Sequence, residues 1–163
     1  MLEIAPLKVA VVACLGRAGD IEHLAVPDTV TLRTAPDEVL LLCAPDRASG
    51  VVAAATSALG TGGLVADQTD AFSGWTLSGS DVHELFVRLC AIPLDSEHDS
   101  LMQGLFAKVP AKILVNQHHL HVLVSSVHAH HIPLRLKSAG AEFDVRQVDA
   151  VVFQPATATQ AVA

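Results

Sequence analysis

The 163-residue chain has no tyrosine, one tryptophan and five phenylalanines, so aromatics make up only 4% of a sequence that is 51% hydrophobic. Its core must be assembled from Ala, Val and Leu, and part of the apolar surface is expected to lie under another subunit. Charge is also sparse. Ten Lys and Arg against seventeen Asp and Glu leave a net charge of -7, and the basic residues are dispersed, which argues against a phosphate-binding surface and hence against nucleic acid as a partner. No apolar run approaches the roughly 20 residues that a membrane-spanning helix needs. The opening MLEIAPLKVAVVACLG places Lys8 inside its only apolar run and no basic region ahead of it, so neither a secretory leader nor a membrane is expected and the cytoplasm is the default location. Cys14, Cys43 and Cys90 sit in apolar surroundings without CxxC spacing, the pattern of buried free thiols.

The length fits one α+β domain over residues 1–150, with 151–163 (VVFQPATATQAVA) as a C-terminal tail. KVAVVACL (8–15) has the composition of a buried strand. TVTLRT (29–34) and EVLLLCA (38–44) flank Ala35-Pro36-Asp37, where Pro36 presets φ for a tight turn, and predict a hairpin. RASGVVAAATSAL (47–59) puts Val51, Val52, Ala55 and Leu59 on one helical face and stops at Gly60-Thr61-Gly62-Gly63. A strand is expected at SGWTLSG (73–79). After it, Gly79 or Ser80 caps DVHELFVRLCA, a helix whose stripe is Val82, Leu85, Phe86 and Leu89. The acidic SEHDS loop then leads into three strand-like runs, 101–109, 110–117 and 119–126, and a helix over 127–143.

Residues 38–60 (EVLLLCAPDRASGVVAAATSALG) and 119–141 (HLHVLVSSVHAHHIPLRLKSAGA) align without a gap as strand, junction and amphipathic helix. The echo implies a duplicated strand-hairpin/helix unit, in pseudo-repeats of about 8–63 and 64–145, with helices packed on antiparallel sheets.

Six of the nine histidines lie within residues 118–131, which raises the question of a metal site. Zinc needs three or four ligands converging on one point. Strand alternation puts Leu120, Val122 and Val124 on the core face and His119 and His121 together on the other. On a helix running from residue 127, His128 joins the apolar face with Ile132 and Leu136, His130 points away and His131 lies between. The helical histidines spread, no HExxH accompanies them, and Pro133 delays the helix start. No metal site is expected; His119 and His121 are expected to line a contact with a partner subunit.

Other chemistry-bearing residues read as structural. Asp67, Asp70 and Asp81 are turn and cap residues more readily than an acid pair. Ser125-Ser126 lacks a GxSxG elbow, and Gly60-Thr61-Gly62-Gly63 follows a helix where a phosphate loop precedes one. Trp75 reads as core before ligand platform. No catalytic or cofactor-binding set is assembled.

Two segments carry a resemblance. LRTAPDEVLLLCAP (32–45) and VADQTDAFSGWTLSGSDVHELFVRLCAIPLD (65–95), extended by QGLFAKVPAKILV (103–115), resemble the gamma subunit of heterotetrameric sarcosine oxidase and, more loosely, the folate-binding domain of the glycine-cleavage T protein. The similarity covers about residues 30–140, with Val39 where a Trp is usual after Pro-Asp-Glu. The iron–sulfur repair branch of that superfamily is disfavoured, because its Lys-Gly-Cys-Tyr-x-Gly-Gln-Glu signature is absent. The resemblance implies a T-protein-like α+β fold and an accessory, noncatalytic chain of a cytoplasmic complex that oxidatively demethylates an N-methyl amine, passing the one-carbon unit to tetrahydrofolate. It implies FAD, FMN, NAD and tetrahydrofolate in the larger flavoprotein and folate/NAD-binding partners, zinc in a small further subunit, and none in this chain. The alternative is a stand-alone folate-binding or one-carbon transfer domain, with Asp67 or Asp70 as the carboxylate for the pterin.

Overall fold

The computed structural model describes residues 1–94, 100–116 and 119–155. In chain order its elements begin β1 (Leu2–Lys8), β2 (Ala10–Leu15), α1 (Ala18–Glu22), β3 (Val30–Ala35), β4 (Glu38–Cys43), α2 (Ala48–Leu59) and β5 (Leu64–Asp67). They continue with β6 (Phe72–Gly79), α3 (Val82–Leu89), β7 (Ser100–Phe106), β8 (Val109–Asn116), β9 (His119–Ser125), α4 (His131–Ala139), β10 (Val145–Gln147) and β11 (Val151–Val152). The chain divides into two compact units: Lys8–Thr69 with the chain from Val152 on, and Met1–Leu7 with Asp70–Val151. Both are α+β, with helices packed on largely antiparallel sheet.

In the unit of residues 8–69 the sheet order is β3-β4-β2-β5. The expected hairpin is present, with Ala35 opposite Glu38 across Pro36-Asp37 and a bulge between Arg33 and Ala35. Val12, Cys14, Val39, Leu41 and Cys43 point into a core closed by Val51, Ala55 and Leu59 of α2, three of the four residues assigned to that helix face; Val52 packs at its margin. The helix ends at Gly60 in the left-handed region, φ 56°, a conformation glycine adopts without steric cost.

The other unit has a sheet ordered β10-β1-β6-β9-β8-β7, with β11 also pairing β1. Trp75 and Leu77 of β6, Ile113 and Val115 of β8, and Leu120, Val122 and Val124 of β9 form its core with Leu85 and Phe86 of α3 and Ile132 and Leu136 of α4. Arg88 ties α3 to the end of α4: it donates to the Ala139 carbonyl at 3.2 Å and to Glu142 at 3.0 Å, as well as to Glu84 of its own helix at 2.6 Å, and its guanidinium lies 4.6 Å from the Phe143 ring centroid.

Four expectations are corrected. LEIAPLK, read as no element, is β1. Leu2 donates to the Asp144 carbonyl and Ile4 accepts from Val148, so by strand alternation Pro6 turns its missing donor to the same side, past the end of β10 and away from β6, where a sheet tolerates proline. The helix expected over 127–143 is a 3₁₀ turn at Ser126–His128 followed by the shorter α4. Pro133 sits in the first turn of α4, where its absent N–H has no intrahelical acceptor to satisfy. Neither Gly79 nor Ser80 occupies the N-cap of α3: Asp81 does, without a side-chain cap bond. The run boundary expected at residue 109/110 lies at Ala107-Lys108, a two-residue β7–β8 turn with φ of 52° and 70°. Most of the acidic loop, Gln117, His118 and residues 156–163 fall outside the described residues.

Candidate functional site

The histidine-rich stretch begins on β9, the central strand between β6 and β8. Its alternation is as expected: Leu120, Val122 and Val124 face the core. On the opposite face His121 stands across from Thr76 of β6 and Leu114 of β8, and His119 across from Ser78 and Asn116. The two imidazoles lie side by side, ring centroids 4.7 Å apart. His119 is half-buried. His121 is only 8% exposed, and its Nδ1 is 3.0 Å from Thr76 Oγ1. Desolvation, with a smaller contribution from neighbouring His119, pulls the His121 pKa from 6.5 down to about 4; the ring is neutral at physiological pH, as an imidazole away from water should be.

The remaining histidines diverge. His128 ends the 3₁₀ turn, and because α4 starts only at His131, the helical face assigned to His128 does not exist. His131 accepts a hydrogen bond from Arg135 Nε at 3.1 Å. Among the described residues no group of three or more His, Cys, Asp or Glu is gathered as a metal ion would require.

The aspartates are held in local structure. Asp67 Oδ1 accepts from the Thr69 N–H at 2.9 Å, and Thr69 Oγ1 in turn accepts from the Val11 N–H at 3.1 Å; the Thr69 bonds lower the Asp67 pKa. Asp81 Oδ2 lies 2.6 Å from the Met1 amino group and its Oδ1 accepts from Ser80, contacts that lower its pKa. Asp70 is exposed in a 3₁₀ turn. The thiols are buried, and desolvation raises the Cys14 pKa to about 11, which leaves it a poor nucleophile.

One feature of the larger unit went unread in the sequence. A cavity of about 470 Å³ opens between the helix-facing side of the sheet, at Ile4 and Trp75, the α4 residues Pro133, Leu136 and Lys137, and Gln147 at the end of β10. β10 is three residues long beside the seven of β1, and β11 pairs β1 in its turn; the cavity opens where the chain leaves β10 at Gln147 and Val148. Trp75 belongs to the core, as expected, yet it also lines this space. The signal available in the sequence was weak: two prolines, Pro6 and Pro133, in otherwise regular elements.

No protein-family model matches the chain, and no curated protein does. Its fold is similar to that of a chain of heterotetrameric sarcosine oxidase from Corynebacterium sp. U-96 in complex with pyrrole 2-carboxylate, with a TM-score of 0.74 and 17% identity over 90% of this chain and 87% of that one. It is also similar to the glycine cleavage system aminomethyltransferase T from Bartonella henselae, with a TM-score of 0.60 and 12% identity over 90% of this chain and 47% of that one. The chain thus spans about half the length of the aminomethyltransferase. At such identities the likeness is one of fold, which is where the resemblance read from residues 32–45 and 65–95 holds.

Proposed function

We propose that this protein is an accessory, gamma-type subunit of a heteromeric, flavin-dependent oxidase of the sarcosine oxidase kind, which demethylates an N-methyl amine and passes the one-carbon unit to tetrahydrofolate. The observation that supports the reading is the two-way coverage of the sarcosine oxidase match: 90% of this chain superposes on 87% of a chain belonging to a heterotetramer, so most of this chain matches most of one component of such an assembly in fold. Against the aminomethyltransferase it corresponds to 47% of a longer chain, and Asp67, one of the two carboxylates offered for a pterin, is engaged in its own turn. The stand-alone folate-binding reading is therefore the weaker.

In this reading the flavins, NAD, tetrahydrofolate and zinc reside in the partner subunits, and His119 and His121 contribute to a contact with one of them, His119 being the more exposed. Large exposed side chains such as Leu64, Val87, Leu105, Val127 and Leu134 are further apolar surface for partners. The decisive measurement is purification of the protein at native expression levels from its own cells. Co-elution with a flavin-absorbing complex that oxidises an N-methyl amine is expected; elution as a lone monomer from cells that also make the larger subunits overturns the proposal. His119→Ala with His121→Ala should weaken co-purification, and an unchanged complex removes the pair from the interface.

A further inference from the structure

We propose that the cavity between β1, β6 and α4 is a binding site for a small organic carboxylate with an apolar body, held by the Trp75 indole N–H and the Lys137 ammonium. The inference does not depend on the subunit role. Trp75 is only 8% exposed, and among the described residues its indole N–H has no hydrogen-bond acceptor; a buried donor without a partner is uncommon and marks a place where a ligand or ordered water completes the bond. Lys137 likewise makes no hydrogen bond or ion pair among the described residues, and no carboxylate lines the cavity, although acidic residues outnumber basic ones in the chain as a whole. The local electrostatics therefore select an anion, in a protein whose net charge would repel one.

The fold itself does not ask for this cation. In the aligned first copy the position of Lys137 is taken by Thr56, which bonds back to the Val52 carbonyl of its own helix at 2.7 Å. Ile4, Pro133 and Leu136 supply apolar walls, and the Gln147 amide, which can both donate and accept, is part of the lining. Pro6 and Pro133 fix φ on two sides of the opening, so the site is largely preformed. Its volume of about 470 Å³ falls within the roughly 300–1,000 Å³ typical of small-molecule sites.

Because Trp75 is the only tryptophan, its single indole N–H resonance reports on this cavity and nothing else. Titrating the full chain with 2-naphthoate should shift that resonance saturably, with the neutral 2-naphthamide binding about tenfold more weakly, as expected for loss of a charge-assisted contact. Lys137→Ala, a change at an exposed side chain, should weaken the carboxylate about tenfold and leave the amide unaffected. An indole resonance that stays fixed up to about 5 mM naphthoate, a concentration where only the weakest specific sites remain empty, overturns the proposal. So does binding that is equal for acid and amide and indifferent to Lys137→Ala, since that describes an apolar crevice alone.

Discussion

Residues 38–60 and 119–141 follow one course, strand, 3₁₀ turn and helix, and differ in what they bury. Aligned residue by residue, Val51 and Ile132 both enter a core, as do Ala55 and Leu136, so the helix-to-sheet contact is common to both copies. The strands are the informative part. Where the first copy has Leu40, 2% exposed, the second has His121, 8% exposed. A leucine serves this fold position as well as a histidine, so His121 imposes a desolvation cost that the architecture does not require, offset in part by its bond to Thr76. The copies share a scaffold and diverge in the polar groups hung on it.

The comparison is broken most severely at the helix contact. Leu136→Ala is expected to destabilise the protein by about 2–5 kcal/mol, and Ala55→Leu, its mirror, by about 1–3 kcal/mol through overpacking; denaturant midpoints of both variants measure how far each core is fitted to its own side chain. Next comes pH. Because the folded-state pKa of His121 lies near 4 and the unfolded one near 6.5, the unfolded chain binds the extra proton between those values. Stability is therefore full above pH 6.5 and falls by up to about 3 kcal/mol as pH drops to 4. Denaturation series at pH 7.5 and 4.5 should show this slope in the native protein and lose it in His121→Leu.

A double-mutant cycle sharpens the same point. Thr76→Val alone should cost about 1 kcal/mol by removing the Thr76 bond to the imidazole, whereas Thr76→Val with His121→Leu, which makes the second strand resemble the first, should recover native stability or exceed it. The smallest expected effect concerns the hairpin turns. Pro36-Asp37 turns β3–β4 with negative φ, whereas Ala107 and Lys108 turn β7–β8 at φ 52° and 70°, a left-handed pair in which glycine or asparagine is the usual choice. Lys108→Gly should raise stability by about 1 kcal/mol, read as an increase in melting temperature.

What was legible in the sequence follows from how strongly each segment states its period. The stripe Val82, Leu85, Phe86, Leu89 and the alternation of Leu120, Val122, Val124 announce α3 and β9 because burial on one face leaves a regular record. β1 was missed since LEIAPLK is buried on both faces over Ile4-Ala5 and carries a proline whose tolerance depends on where β10 ends, some 140 residues later. The extent of the last helix was misread because helix propensity cannot separate a 3₁₀ turn from the first turn of α4 ahead of Pro133. The paired faces of His119 and His121 were visible from alternation, but the burial of His121 and its pairing with Thr76 were not, since strand register sets both. The cavity at Trp75 was invisible for a related reason: its lining comes from β1, β6, α4 and the end of β10, and no single segment encodes their assembly.

The placement of β1 bears on how the molecule is made. Its first residues pair with β6 on one side and, in parallel, with β10 on the other, Leu2 opposite both Gly79 and Val145. During synthesis the segment Lys8–Thr69 can gather its own strands as soon as β5 has emerged, while Met1–Leu7, translated earlier, waits for partners that come at the far end of the chain. Contacts of such sequence separation slow folding, and in the interval β1 is an unpaired apolar strand open to mispairing. A helper, whether chaperone or assembling subunit, would be needed most in that interval.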